Sequence, residues 1–203
     1  MTGVQTCALP IYKSVFREYA EAIFIALLLA LFIRTFIIQA FKIPSGSMKN
    51  TLLIGDHILV SKFAYGTHIP NVIPFLNIKL FDDIVLFQKT PKREDIIVFK
   101  YPKNENRDFI KRVIGIPGDL LEVRHQKVYI NEELIQEKHA WHTDMPQKSR
   151  LVPRDDFGPI VVPPGHLFMM GDNRENSQDS RFWGFLEIKK IKGKALVIYW
   201  SWN

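Results

Sequence analysis

The sequence predicts a mainly β protein, made of an N-terminal transmembrane helix followed by an antiparallel β body. Three observations lead there. Residues 22–33 (AIFIALLLALFI) contain no polar side chain. Downstream, short apolar runs recur between clusters of Gly, Pro, Asn and Asp, as strands do between turns. Past residue 41 no stretch carries the 3.6-residue period of an amphipathic helix.

The helix comes first. Twelve apolar residues are too few to cross a bilayer, which takes about 20. Flanking residues extend the run to 16–36, with Arg17 and Arg34 placed to snorkel at its two ends. A cleaved signal peptide is disfavoured, because residues 36–41 (FIIQAF) offer no small-x-small site. A buried core helix is the other competitor. Lysines and arginines lie on both sides of the run, so charge alone does not orient it.

The β elements follow. Leu52-Leu53-Ile54 and residues 57–60 (HILV) read as buried strand, and 63–87 as a surface excursion. Residues 96–100 (IIVFK) are a strand, 104–108 a polar turn, and 109–115 (FIKRVIG) a second strand ended by the tight turn 116–119. Residues 120–124 and 127–130 are separated by His125-Gln126, which is hairpin spacing. The segment at about 132–158 is polar and reads as a small insertion. Strands return at 159–164, 166–170 and 194–200, with the turn-rich 171–181 (GDNRENSQDSR) between the last two. The body thus covers 37–203, with no internal repeat. Residues 1–15 form a flank, of which 1–11 (MTGVQTCALPI) resemble translated adapter sequence and are set aside as non-native. The chain stops straight after its last strand, as a truncated end would.

Composition narrows the function. The chain has 203 residues, 24% of them charged and 47% hydrophobic, so the body is globular. Its net charge is +6, but lysines and arginines are scattered, unlike the clustered basic face of a nucleic-acid platform. An anionic membrane surface is an equally available partner. With one cysteine, Cys7, no intrachain disulfide is possible.

Three stretches carry chemistry. Residues 44–60 (PSGSMKNTLLIGDHILV) place Ser45 and Ser47 around Gly46, behind Pro44. Pro and Gly suit a rigid turn presenting a hydroxyl, although Ser-Gly-Ser alone is also an ordinary turn. A serine becomes nucleophilic only when a neighbouring base takes its proton. None of the six histidines has a triad context; His139 and His142 form an H-x-x-H pair without a third ligand. Lys111 stands among Phe109, Ile110, Val113 and Ile114, sharing one strand face with Phe109 and Val113. Burial penalises an ammonium. Lowering its pKa from about 10.4 to about 8 costs the charged form about 3 kcal/mol and leaves usable free amine near neutrality. A lysine snorkelling from a strand end is the competing reading. The third stretch, 171–181, reads either as a buttress braced by an Asp–Arg pair or as an oxygen-rich metal loop, though without EF-hand spacing.

Together the three stretches resemble type I signal peptidases (leader peptidases), membrane-anchored Ser/Lys endopeptidases. The resemblance covers about 16–203 and rests on FKIPSGSMKNTLLIGDHILV, REDIIVFKYP with DFIKRVIGIPGD, and MGDNRENSQDSRFWGF. It implies an antiparallel β catalytic domain of the signal-peptidase type, with Ser47 as nucleophile and Lys111 as general base. Ser45 would donate to the oxyanion and Ser177 would hold the lysine. Asp179 and Arg181 would brace the wall, with Asp172 and Arg174 in the same segment. Ile43, Met48, Leu52, Phe109 and Ile110 would line pockets for small side chains. It further implies no metal and no cofactor. The partners would be signal-peptide-bearing preproteins and a lipid bilayer, with no nucleic acid. The location would be the bacterial inner membrane, single-pass, with the catalytic domain extracytoplasmic. Two alternatives stand beside it: a Ser/Lys autopeptidase of the SOS-repressor type, and a membrane-tethered β-rich binding module.

Overall fold

The computed structural model describes residues 14–69, 84–142 and 156–202. The adapter-like segment 1–11, residues 70–83 of the expected surface excursion and residues 143–155 of the polar stretch 132–158 lie outside them.

Helix α1 spans Val15–Phe32 and starts where Ser14 caps it, its hydroxyl accepting from the Arg17 N–H. Arg17 and Glu21, one turn apart, form an ion pair at 3.1 Å. None of its residues is buried against the body. A helix apolar on all sides with nothing packed on it belongs in lipid. With the π-helical turn Ile33–Ile37 the span is 23 residues, about 35 Å at the rise of an α-helix and so enough for a bilayer. The junction to the body has no linker, because β1 (Ile38–Lys42) begins on the next residue. The Lys62 amine donates to the carbonyls of Arg34 (3.2 Å) and Thr35 (3.1 Å), and the Lys62 N–H to Ile37 O. These bonds satisfy carbonyls that a helix end leaves open.

The body is antiparallel β. In chain order its strands are β2 (His57–Ser61), β3 (Thr67–Ile69), β4 (Ile84–Leu86), β5 (Ile96–Tyr101) and β6 (Asn104–Gly115). They continue with β7 (Leu120–Arg124), β8 (Lys127–Ile130), β9 (Glu133–Leu134), β10 (Phe157–Val161), β11 (His166–Met170), β12 (Leu186–Glu187) and β13 (Ile191–Trp200). Seven strands form the main sheet in the order β1-β2-β13-β5-β6-β11-β12. A second sheet runs β10-β7-β8-β9, and β3 pairs with β4. One apolar cluster, around Phe99, Val113, Leu167 and Met169, packs on one face of the main sheet. A second, around Ile43, Met48, Leu52, Ile58 and Ile110, lies beneath the turn that follows β1. A third, around Leu121, Val128 and Phe168, joins the two sheets.

Two expectations need correction. Residues 52–54 are a turn and not a strand: the Leu53 N–H donates to the Asp56 carboxylate at 2.8 Å, and Ile54 is 59% exposed. Asp56 competes with ladder bonding, as turn-forming aspartates do. Residues 104–108 are not a polar turn but the exposed first half of β6. The reversal is tighter, with Tyr101 paired to Asn104 across Pro102-Lys103. The expected hairpin at 120–130 forms β7 and β8, with His125 and Gln126 both at positive φ, the geometry a two-residue turn requires.

Candidate active site

The chain from Ile43 to Asp56 closes on itself. Ile43 N–H donates to Asp56 O and Gly55 N–H to Ile43 O, while Leu52 N–H reaches Met48 O. Inside this loop Gly46–Met48 form one 3₁₀ turn, entered through Ser45 in extended conformation. Met48 and Leu52 turn inward and are buried in the cluster with Ile43 and Ile110. Their anchoring holds the Ser47 hydroxyl outward, at the floor of a cleft.

Lys111 comes from β6, opposite Ile97 of β5. Its side chain is 3% exposed. The amine donates to the Ser47 hydroxyl at 2.7 Å and to Ile110 O at 3.1 Å, and sits 5.2 Å from the centre of the Phe109 ring. Among the described residues no carboxylate lies within ion-pairing distance of it. Burial, opposed by the fields of Asp179 and Asp172, holds its pKa down at about 8. Ser45 stands on the other side of the nucleophile, its hydroxyl 3.5 Å from that of Ser47.

The loop after β11 forms the rear wall. Asn173 grips the nucleophile's turn, its backbone N–H donating to Ser47 O (3.1 Å) and its side-chain amide to Gly46 O (3.0 Å). Gly171 permits this approach; a Cβ there would lie 2.5 Å from Ser47 O and 2.3 Å from the Ser177 hydroxyl. Asp179, fully buried, takes the Arg181 guanidinium with both oxygens at 2.8 Å and also accepts from the Gly171 N–H at 3.1 Å. It caps the single turn α2 (Ser180–Trp183) as well.

The cleft holds about 600 Å³ and is lined by Ser45, Ser47, Phe109, Lys111 and Ser177, among others. Next to it lies a hollow of about 140 Å³ between Ile43, Phe109 and Ile110, with Phe41, Ile58 and Val98. Of the five side chains expected to line small pockets, Ile43, Phe109 and Ile110 reach this surface, whereas Met48 and Leu52 support it from the core. The hydrogen bond expected between Ser177 and Lys111 is not formed. The Ser177 hydroxyl is buried in the same cleft without a hydrogen-bond partner among the described residues, because the amine is turned toward Ser47 and Ile110 O. His142 contacts Glu175 at 2.8 Å.

Several supporting residues escaped the sequence reading. Arg112, beside Lys111 and equally buried, donates to both oxygens of Asp172 at 2.8 and 2.6 Å and to Glu94 O at 3.0 Å. Thr51 donates to the same carboxylate at 2.5 Å. The signal was present: an arginine inside an apolar strand needs an acidic partner when buried. Asn173 carried no such signal, since its role depends on a contact across more than a hundred residues of chain.

The chain as a whole is similar to known proteins. A family model described as signal peptidase, peptidase S26, matches residues 16–200. The chain is 37% identical to a signal peptidase I of Pseudomonas aeruginosa, with 91% of this chain and 72% of that one aligned. It is 35% identical to a signal peptidase I of Aquifex aeolicus, over 91% and 84% of the two chains. A crystal structure of a signal peptidase I from Enterococcus faecalis V583 has 32% identity and a TM-score of 0.45, covering 54% of this chain and 98% of that one; the assignment does not rest on it.

Proposed function

The chain belongs to the signal peptidase, peptidase S26, family, and from that premise we propose that Ser47 and Lys111 are its catalytic pair. It is a membrane-anchored endopeptidase that cleaves signal peptides from preproteins. Neither the autopeptidase nor the binding-module alternative is favoured by the family match.

In the proposed mechanism the neutral Lys111 amine takes the proton from the Ser47 hydroxyl as its oxygen attacks the scissile carbonyl carbon. The Ser47 backbone N–H and the Ser45 hydroxyl receive the resulting oxyanion, and preorganised donors of this kind contribute several kcal/mol. When the intermediate collapses, the Lys111 ammonium gives its proton to the departing amine and the mature protein leaves. An ester remains on Ser47. Water then attacks it, losing a proton to Lys111; the bond between the Ser47 oxygen and the acyl carbon breaks, Lys111 returns that proton to the Ser47 oxygen, and the signal peptide departs with a free carboxyl end. Cleavage follows small-x-small sites in this proposal, with the apolar hollow between Ile43, Phe109 and Ile110 beside the cleft as the surface that would receive a substrate side chain. The body would face the extracytoplasmic side of the bacterial inner membrane, where an anchored enzyme meets membrane-inserted substrates at raised effective concentration.

One observation carries the pairing: a buried amine, free of carboxylate partners among the described residues, 2.7 Å from a hydroxyl. A general base must be within such reach and poised near working pH. The test is preprotein cleavage by detergent-solubilised protein. Ser47→Ala and Lys111→Ala should each lower kcat by about 10³-fold or more. Cleavage at the wild-type rate by either variant would remove the pair from the mechanism.

A further inference from the structure

The segment following β9 lies outside all three motifs, yet it lies against the back of the cleft. Ile135 fixes one end, its N–H donating to Val128 O of β8 at 3.1 Å while its side chain packs on the Leu121–Phe168 cluster. Trp141 fixes the other. Its N–H donates to Asp172 O at 2.7 Å and its carbonyl accepts from the Arg174 N–H at 3.1 Å, a parallel bridge around Asn173. Between them Glu137 meets Arg174 through both carboxylate oxygens. The two side chains are 10% and 3% exposed. Arg174 also donates to Gly171 O at 3.2 Å, and its own carbonyl accepts from Arg181 at 2.8 Å.

The stretch so held is 171–174, and its Asn173 is the residue that grips Gly46 O and Ser47 O. A guanidinium this buried needs a fixed anionic partner in order to stay in place. We propose that residues 135–142 are a strap that sets the position of the nucleophile's turn, with Glu137 as a positioning residue acting through Arg174 and Asn173. The proposal rests on Ser47 and Lys111 being the catalytic pair. Glu137 itself touches neither substrate nor the reacting atoms. Freeing Arg174 loosens the grip on Ser47 O, lengthens the hydroxyl-to-amine approach and lets water reach the amine. Rehydration favours the ammonium, so it moves the activity midpoint upward.

The experiment uses the full chain in detergent, with preprotein kinetics across pH and a thermal melt of each variant. Glu137→Ala should lower kcat at neutral pH about tenfold or more and leave KM within about twofold. It should also shift the midpoint of the rising limb of the pH profile upward by about one unit, with Glu137→Asp restoring most of the rate. Loss of activity only in proportion to unfolded protein, with the midpoint unmoved, would overturn the strap's role. If Glu137→Ala does not fold, Glu137→Gln carries the same test, and an unchanged kcat and midpoint there would overturn it equally. Lys111→Ala run alongside separates the two failures. An active Lys111→Ala overturns the pair and the strap's role together; an inactive one beside an unshifted Glu137 variant overturns the strap alone.

Discussion

Lys111 and Arg112 are neighbours on β6, point to opposite faces, and are 3% and 5% exposed. Their surroundings differ completely. Arg112 is enclosed by acceptors: both oxygens of Asp172, the carbonyl of Glu94 and the hydroxyl of Thr51. Lys111 has one hydroxyl and one carbonyl. Equal burial thus produces a permanent charge on one face and a removable proton on the other. What separates the outcomes is the placement of carboxylates, together with the chemistry of the two cations, since a guanidinium does not deprotonate in proteins and a buried ammonium readily does.

The most severe way to break that contrast is to put a guanidinium on the catalytic face. Lys111→Arg keeps a cationic donor of similar reach but makes its charge permanent and removes the base, so kcat should fall by about 10³-fold or more in preprotein cleavage, with no recovery up to pH 10. Stripping the other face of its counter-charge comes next. Asp172→Ala leaves buried Arg112 with only the longer, half-exposed ion pair to Glu94 at 3.7 Å, which should destabilise the body by about 3 kcal/mol, read from denaturant unfolding in detergent. The mildest probe only sharpens the contrast. With the amine at about 8, below the ordinary lysine value of 10.5, protonation disarms the base as pH falls. Initial rates at subsaturating preprotein should rise about fivefold from pH 7 to pH 8 and level off above pH 9. A flat profile across that window would mean that Lys111 does not titrate there. The unfolded chain holds this proton more tightly than the folded one, so stability rises with pH between about 8 and 10.5.

Much of this was legible because it was local. The apolar run that becomes α1, the two-residue spacing that becomes the β7–β8 hairpin, and a lysine amid hydrophobic strand residues each announce themselves within a dozen positions. The two misread stretches have different causes. Leu52 to Ile54 look like strand by composition, but Asp56 captures the Leu53 N–H and bends them into a turn. Residues 104–108 look like turn by polarity, yet they extend β6 beyond the part that pairs with β11, exposed to solvent where polar side chains cost little. What stayed hidden was long-range. Neither the pairing of Arg112 with Asp172 nor that of Glu137 with Arg174 leaves a trace in spacing, because each depends on how distant strands are brought side by side.

The junction at Ile37 and Ile38 has a mechanical meaning. With Lys62 bolted to the last helical carbonyls and β1 starting at once, the helix is a mast and not a leash. Leaning it in the bilayer leans the whole sheet, so the altitude of the Ser47 oxygen above the lipid is set by the same few bonds that end the helix.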